Sequence, residues 1–155
     1  MNKPLFPEVR VNGSTIAHSA IAAEAQNHKA PAGKPGFAWQ SAARALIIRH
    51  LLLEDAQLKG LAREPAMLAE DRMEADDEAI IRGYLEENLH LPPVQEEEII
   101  QFAVESGGDI GGDDAVRMSM QRALEQRNWV IAANELVSGL VERAQIEGIE
   151  MARPN

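Results

Sequence analysis

The sequence predicts a mainly α-helical protein of one domain, and three observations carry that expectation. Apolar residues recur at helical spacing through residues 37–59 and again through 114–144. Prolines and glycines cluster between these stretches, as punctuation between elements. Strand-like alternation is confined to two short pieces, one near each end. The expected fold therefore has a long C-terminal helix and at most a small two-stranded β contact. At 155 residues the chain is long enough to build one hydrophobic core.

The elements follow in order. Residues 8–16, EVRVNGSTI, alternate apolar and polar. Val9–Val11 reads as a strand and Asn12-Gly13-Ser14 as its turn. Ser19 is placed to cap a helix over AIAAEAQNH. Residues 29–36, KAPAGKPG, read as a loop. A strong helix is predicted from Phe37 to Lys59, stopped by Gly60. Its stripe is Ala42, Ala43, Leu46, Ile47, Leu51 and Leu58, widened by Ile48, Leu52 and Leu53. The polar stretch AREPAMLAEDRMEADD reads as a connector, with at most a helical turn. A helix over 76–90 is stopped by Pro92-Pro93, and a shorter one follows in VQEEEIIQFAVES. Asp113 is positioned to cap the long helix 114–144, in which Gly139 marks a close-packing point. The tail AQIEGIEM holds a short alternating piece, Ile146–Ile149, expected to pair with Val9–Val11. The long helix is expected to pack against helix 37–59.

Composition excludes several chemistries. The formal charge is −10 with no basic cluster, so a nucleic-acid phosphate backbone would be repelled. With no cysteine there is no disulfide, thiol nucleophile or thiolate metal site. No two of His18, His28, His50 and His90 have the helical spacing of a zinc pair. His50 and Glu54, four apart, read as a helix-surface pair. The acidic runs QEEE and EADDE suit the positive ends of helix dipoles. Ser106-Gly107 and Ser138-Gly139 lack the surroundings of a nucleophile elbow. No catalytic residue, metal or organic cofactor is implied. The N-terminus lacks the apolar region of a secretory signal, and the most apolar run, 45–56, is interrupted by charge well short of a membrane span. A soluble cytoplasmic protein with no membrane partner is expected.

The glycine-rich stretch ESGGDIGGDD lacks the Lys-Ser/Thr of a phosphate loop and the ligand spacing of a calcium loop. It reads as a joint, residues 106–113, between an N-terminal segment (8–105) and a C-terminal one (114–150) that assemble as one helical domain over 1–155.

Both ends of the chain carry a resemblance. VNGSTIAHSAIAAEAQNHKAP, AWQSAARALIIRHLLLEDAQLKGL and LPPVQEEEIIQFAVES resemble the N-terminal region of cytoplasmic parvulin-type peptidyl-prolyl isomerases of bacteria. That group includes the nitrogen-fixation accessory protein NifM and relatives of the SurA chaperone. DAVRMSMQRALEQRNWVIAANELVSGLVERAQIEGIEM is similar to the family's C-terminal helix and closing strand. The resemblance implies a SurA-like helical chaperone domain. In such isomerases the catalytic parvulin domain lies where this sequence has only the short joint, and its paired histidines and proline-binding pocket have no counterpart here.

The implied function is a chaperone-like polypeptide-binding module for unfolded clients or one dedicated protein partner. Candidate binding side chains are Phe37, Trp39, Met67, Met73, Tyr84, Phe102, Met118 and Trp129, because aromatics anchor apolar partners and methionine adapts to them. The same aromatics and methionines are also natural core residues. Two further readings stay open: an active peptidyl-prolyl isomerase and a non-catalytic dimeric scaffold. A homodimer through the long helix is compatible with the first reading.

Overall fold

A computed structural model describes residues 6–30, 32–34, 36–108 and 113–151. The elements run β1 (Val9–Val11), β2 (Ser14–Ile16), α1 (His18–Ala25), α2 (Gly36–Leu58), β3 (Met67–Ala69), β4 (Arg72–Met73), α3 (Asp76–Asn88), α4 (Glu96–Glu105), α5 (Asp114–Arg143) and β5 (Ile146–Glu147). The protein is mainly helical with a small β part in two sheets. The contacts divide the chain into unit 1, residues 1–85 and 137–155, and unit 2, residues 86–136. Residues 109–112, the middle of the expected joint, lie outside the described residues.

Unit 1 is built around one antiparallel sheet in the order β2-β1-β5. Asn12 (φ 48°) and Gly13 (φ 85°) form the turn between β1 and β2, both in the left-handed region that an Asn-Gly pair tolerates. On the other edge Arg10 faces Glu147 and Val11 faces Ile146. Asn12 extends that ladder with its side chain. Its backbone N–H donates to the Gln145 carbonyl at 2.8 Å, and its Oδ1 accepts from the Gln145 N–H at 2.8 Å. Its Nδ2 donates to Glu54 Oε1 at 2.6 Å, which ties the turn to α2. Gly148 (φ 89°) lies against the Glu8 carbonyl, where a Cβ would collide.

Helix α2 buries Ala42, Ala43, Ile47, Leu51, Leu52 and Ala56. It packs against α1. Ile21 is the residue α1 buries, and the small side chains of Ala42 and Ala43 are buried on α2, which allows close approach of the two helices. Gly60 (φ 65°) ends α2 in a Schellman motif, with Leu61 N–H bonding to the Ala56 carbonyl and Gly60 N–H to that of Gln57. Leu58, counted in the buried stripe from its spacing, is exposed because it lies beyond Ala56, the last residue α2 buries.

Four other local expectations are corrected. The N-cap of α1 is Ala17, with no side-chain cap bond; β2 runs straight into the helix and carries Ser19 inside it. The N-terminal strand is a hairpin, so the larger sheet has three strands rather than two. The connector 62–75 contains a second hairpin, β3–β4, with Met67 opposite Met73. Its base is clamped by Glu74, whose backbone N–H donates to the Ala66 carbonyl at 2.8 Å and whose carboxylate receives Arg82 Nε at 3.2 and 3.3 Å. Finally, a Cβ on Gly139 would meet nothing within 4 Å among the described residues, so Gly139 is not a close-packing point there.

Candidate functional site

Unit 2 carries two neighbouring surface grooves. Here α4 begins with a carboxylate cap: Glu98 Oε2 accepts the Gln95 N–H at 2.8 Å. It ends with Gly107 (φ 78°) in a second Schellman motif, Gly107 N–H to Val104 O and Gly108 N–H to Ala103 O. One glycine of the stretch ESGGDIGGDD is thus a helix stop. At the other end of that stretch, Asp113 Oδ1 accepts the Ala115 N–H at 2.9 Å and caps α5.

Two charged contacts hold α4 beside the first half of α5. Arg117 Nε donates to Glu96 Oε1 at 3.0 Å, and a second guanidinium nitrogen pairs with Oε2. This fork holds the Glu96 carboxyl below the usual carboxylate range. Arg127 lies 5.2 Å above the centre of the Phe102 ring. Ile99, Ala103 and Leu124 are the buried residues of this unit among the described residues.

The segment between α3 and α4 then lies along α5 and leaves an open groove of about 540 Å³. Leu91, Pro92, Pro93 and Trp129 give it apolar surface, and Gln126 and Asn128 add amides. Leu91 and Trp129 are each 40% exposed, so the apolar surface is reachable from solvent. Such a groove can take an apolar side chain while its amides pair with a peptide backbone. A second, smaller groove of about 280 Å³ shares Asn128 and is lined by Phe102, Leu124, Arg127 and the acidic side of α4.

The candidate residues read from the sequence are dispersed over both units. Trp129 lines the larger groove and Phe102 the smaller one. Met118, on the same stretch of α5, is exposed. In unit 1, Met67 and Met73 are exposed side by side on the β3–β4 hairpin, next to exposed Leu68. Phe37 is half exposed at the start of α2. Trp39 stacks on Phe6 with ring centres 4.6 Å apart, and His18 meets its edge at 5.5 Å, so it anchors the segment before β1. Tyr84 must be withdrawn as a contact residue because it is 1% exposed. Its hydroxyl donates to Asp55 Oδ2 at 2.5 Å.

The Tyr84–Asp55 pair has clear electrostatics. Burial and the adjacent carboxylate push the Tyr84 phenol well above its ordinary range. The phenol donor and the Lys59 ammonium, 3.1 Å from Asp55 Oδ2, hold Asp55 below the usual carboxylate range. His50 and Glu54 pair at 3.3 Å as their spacing suggested, and Asn12 completes that cluster. Among the described residues no group of three or more His, Asp or Glu side chains could hold a metal ion. No helix among them is long and apolar enough to cross a membrane.

Sequence reasoning missed the proline side of the groove. Pro92-Pro93 was legible as a helix stop, but its position opposite Trp129 depends on tertiary packing. The carboxylates on α4 were read as solvated helix-start charge. Comparison with protein-family models, with curated proteins and with solved structures found no match to the chain.

Proposed function

We propose that the chain is a chaperone-like polypeptide-binding module of the cytoplasm. It would be related to the helical chaperone region of SurA-like parvulin-type isomerases and hold apolar segments of unfolded proteins or of one dedicated partner. The observation that carries the reading is the groove of about 540 Å³ where Trp129, Leu91 and Pro92-Pro93 face solvent beside Gln126 and Asn128. Tryptophan in such a setting is the side chain most often found anchoring protein contacts. The sequence order of strand, turn, helix, long helix and closing strand supports the family reading, since β1, α1, α2 and β5 follow it. No prolyl isomerisation is expected of this module.

The test is light scattering of chemically denatured lysozyme on dilution, with rising amounts of the protein. A prolyl-peptide isomerisation assay runs on the same sample. Suppressed aggregation without isomerisation, lost in Trp129→Ala while the helical circular dichroism is kept, supports the module. Aggregation that proceeds unchanged at a large molar excess argues against it. Isomerisation that persists after removal of contaminating isomerases would favour the enzymatic reading instead.

A further inference from the structure

We propose that the polypeptide taken by unit 2 is basic, with an apolar residue for the Trp129 groove and a lysine or arginine for the smaller groove beside it. The proposal rests on the polypeptide-binding reading and adds the chemical class of the partner. Charge distribution is the first reason. Unit 2 holds eleven carboxylate side chains against three arginines and no lysine, a formal charge of −8 out of −10 for the whole chain. Unit 1 is close to balance, at −2. A charge so concentrated sets the sign of the potential that an approaching segment meets.

Geometry is the second reason. Glu97, Gln101 and Glu105 are four apart on α4 and form one line along the smaller groove, with Phe102 next to it. Glu105 accepts the Gln101 amide at 3.2 Å. Arg117 is engaged with Glu96, so among the described residues neither Glu97 nor Glu105 has a cationic partner. The Phe102 ring carries the Arg127 guanidinium, so this groove already holds one cation on an aromatic face beside its carboxylates. A basic side chain entering here meets the carboxylate wall of Glu97, Glu98 and Glu105. The shared Asn128 makes the two grooves neighbours, so one extended segment can supply both the apolar anchor and the cation. Nucleic acid and anionic membrane surfaces have the wrong sign.

Isothermal calorimetry on the full chain tests this with three short synthetic peptides. Each has the same Leu-Phe-Leu centre, flanked by lysines, glutamines or glutamates. The expected order is lysine, then glutamine, then glutamate. The lysine peptide should bind roughly tenfold tighter than the glutamine peptide at low salt, with the gap narrowing near 0.5 M salt, where the Debye length is only a few ångströms (about 4 Å). Glu97→Lys/Glu105→Lys is expected to reverse the ranking of the lysine and glutamate peptides, which a merely misfolded variant would not do. Equal binding of all three peptides overturns the charge selection while leaving the polypeptide-binding reading intact. Binding of none defeats both. Sedimentation equilibrium of the protein alone closes the remaining alternative: self-association that is lost in Trp129→Ala would assign the groove to a second copy of the chain and overturn the proposal.

Discussion

Replacing Tyr84 by Phe tests the part-buried hydrogen bond to Asp55. The ring keeps its place and nearly all its volume, so the packing around it is retained. What goes is the 2.5 Å hydrogen bond to Asp55 Oδ2. A hydrogen bond to a charged group contributes about 1.5–3 kcal/mol. At this chain length each kcal/mol moves the melting midpoint by roughly 2–4 °C, so Tyr84→Phe should melt several degrees lower near neutral pH. The pH dependence has two limbs. Asp55 has a lowered folded pKa, so its contribution is present above the ordinary aspartate range and lost as pH falls through the folded value. Tyr84 has a raised folded pKa, so its contribution is full below the ordinary tyrosine value near 10 and lost as pH rises toward the folded one. The stability gap between parent and variant should therefore be widest from about pH 4 to about pH 10 and narrow on both sides. Urea unfolding followed by circular dichroism across that range measures it. A gap that is absent, or that stays constant from acid to alkaline pH, would refute the assignment of this pair.

Three other outcomes follow from single positions. Gly139→Ala should stabilise the chain by about 1 kcal/mol, since it lies inside α5 and its Cβ would meet nothing; a destabilised variant in thermal melts would show a neighbour that covers this site. Gly148→Ala should lower the melting midpoint and release β5, because the residue combines φ 89° with contact to the Glu8 carbonyl; unchanged hydrogen exchange at the Asn12 amide, which donates to the Gln145 carbonyl, would speak against it. Asp113→Ala removes the carboxylate cap of α5 and should cost about 1 kcal/mol, whereas Asp113→Asn should cost much less; equal losses in urea titrations would mean that capping is not what this side chain contributes.

Elements with a local cause were the legible part of this protein. Asn12-Gly13, Gly60 and Asp113 act at their own positions in the chain, so their turn, stop and cap were readable from residue type. The pairing of Val9–Val11 with the 146–147 strand was also foreseeable, because both pieces alternate and little else in the chain does. The β3–β4 hairpin was hidden because its turn, Glu70-Asp71, lacks the usual glycine or asparagine and its strands hold only three and two residues. Its base is held by the Glu74–Arg82 contact, and no pattern of hydrophobicity reports such a contact. The candidate residues were chosen by side-chain type, which cannot separate Tyr84, inside the core, from Trp129, on the surface. Only packing decides between them.

The β1–β5 pairing also bears on how the chain is made. Synthesis delivers Val9–Val11 early, while Ile146 and Glu147 emerge some 135 positions later. Until then one edge of β1 offers unpaired amides and carbonyls to the surroundings, and the Asn12–Gln145 bonds cannot form. Unit 2 is one continuous stretch and has all its own residues before unit 1 does. On the ribosome the acidic unit can therefore assemble first, and the sheet closes last. A protein made in this order spends much of its synthesis with an open strand edge, the kind of surface that recruits other chains. Truncations that stop before residue 146 should aggregate through that edge.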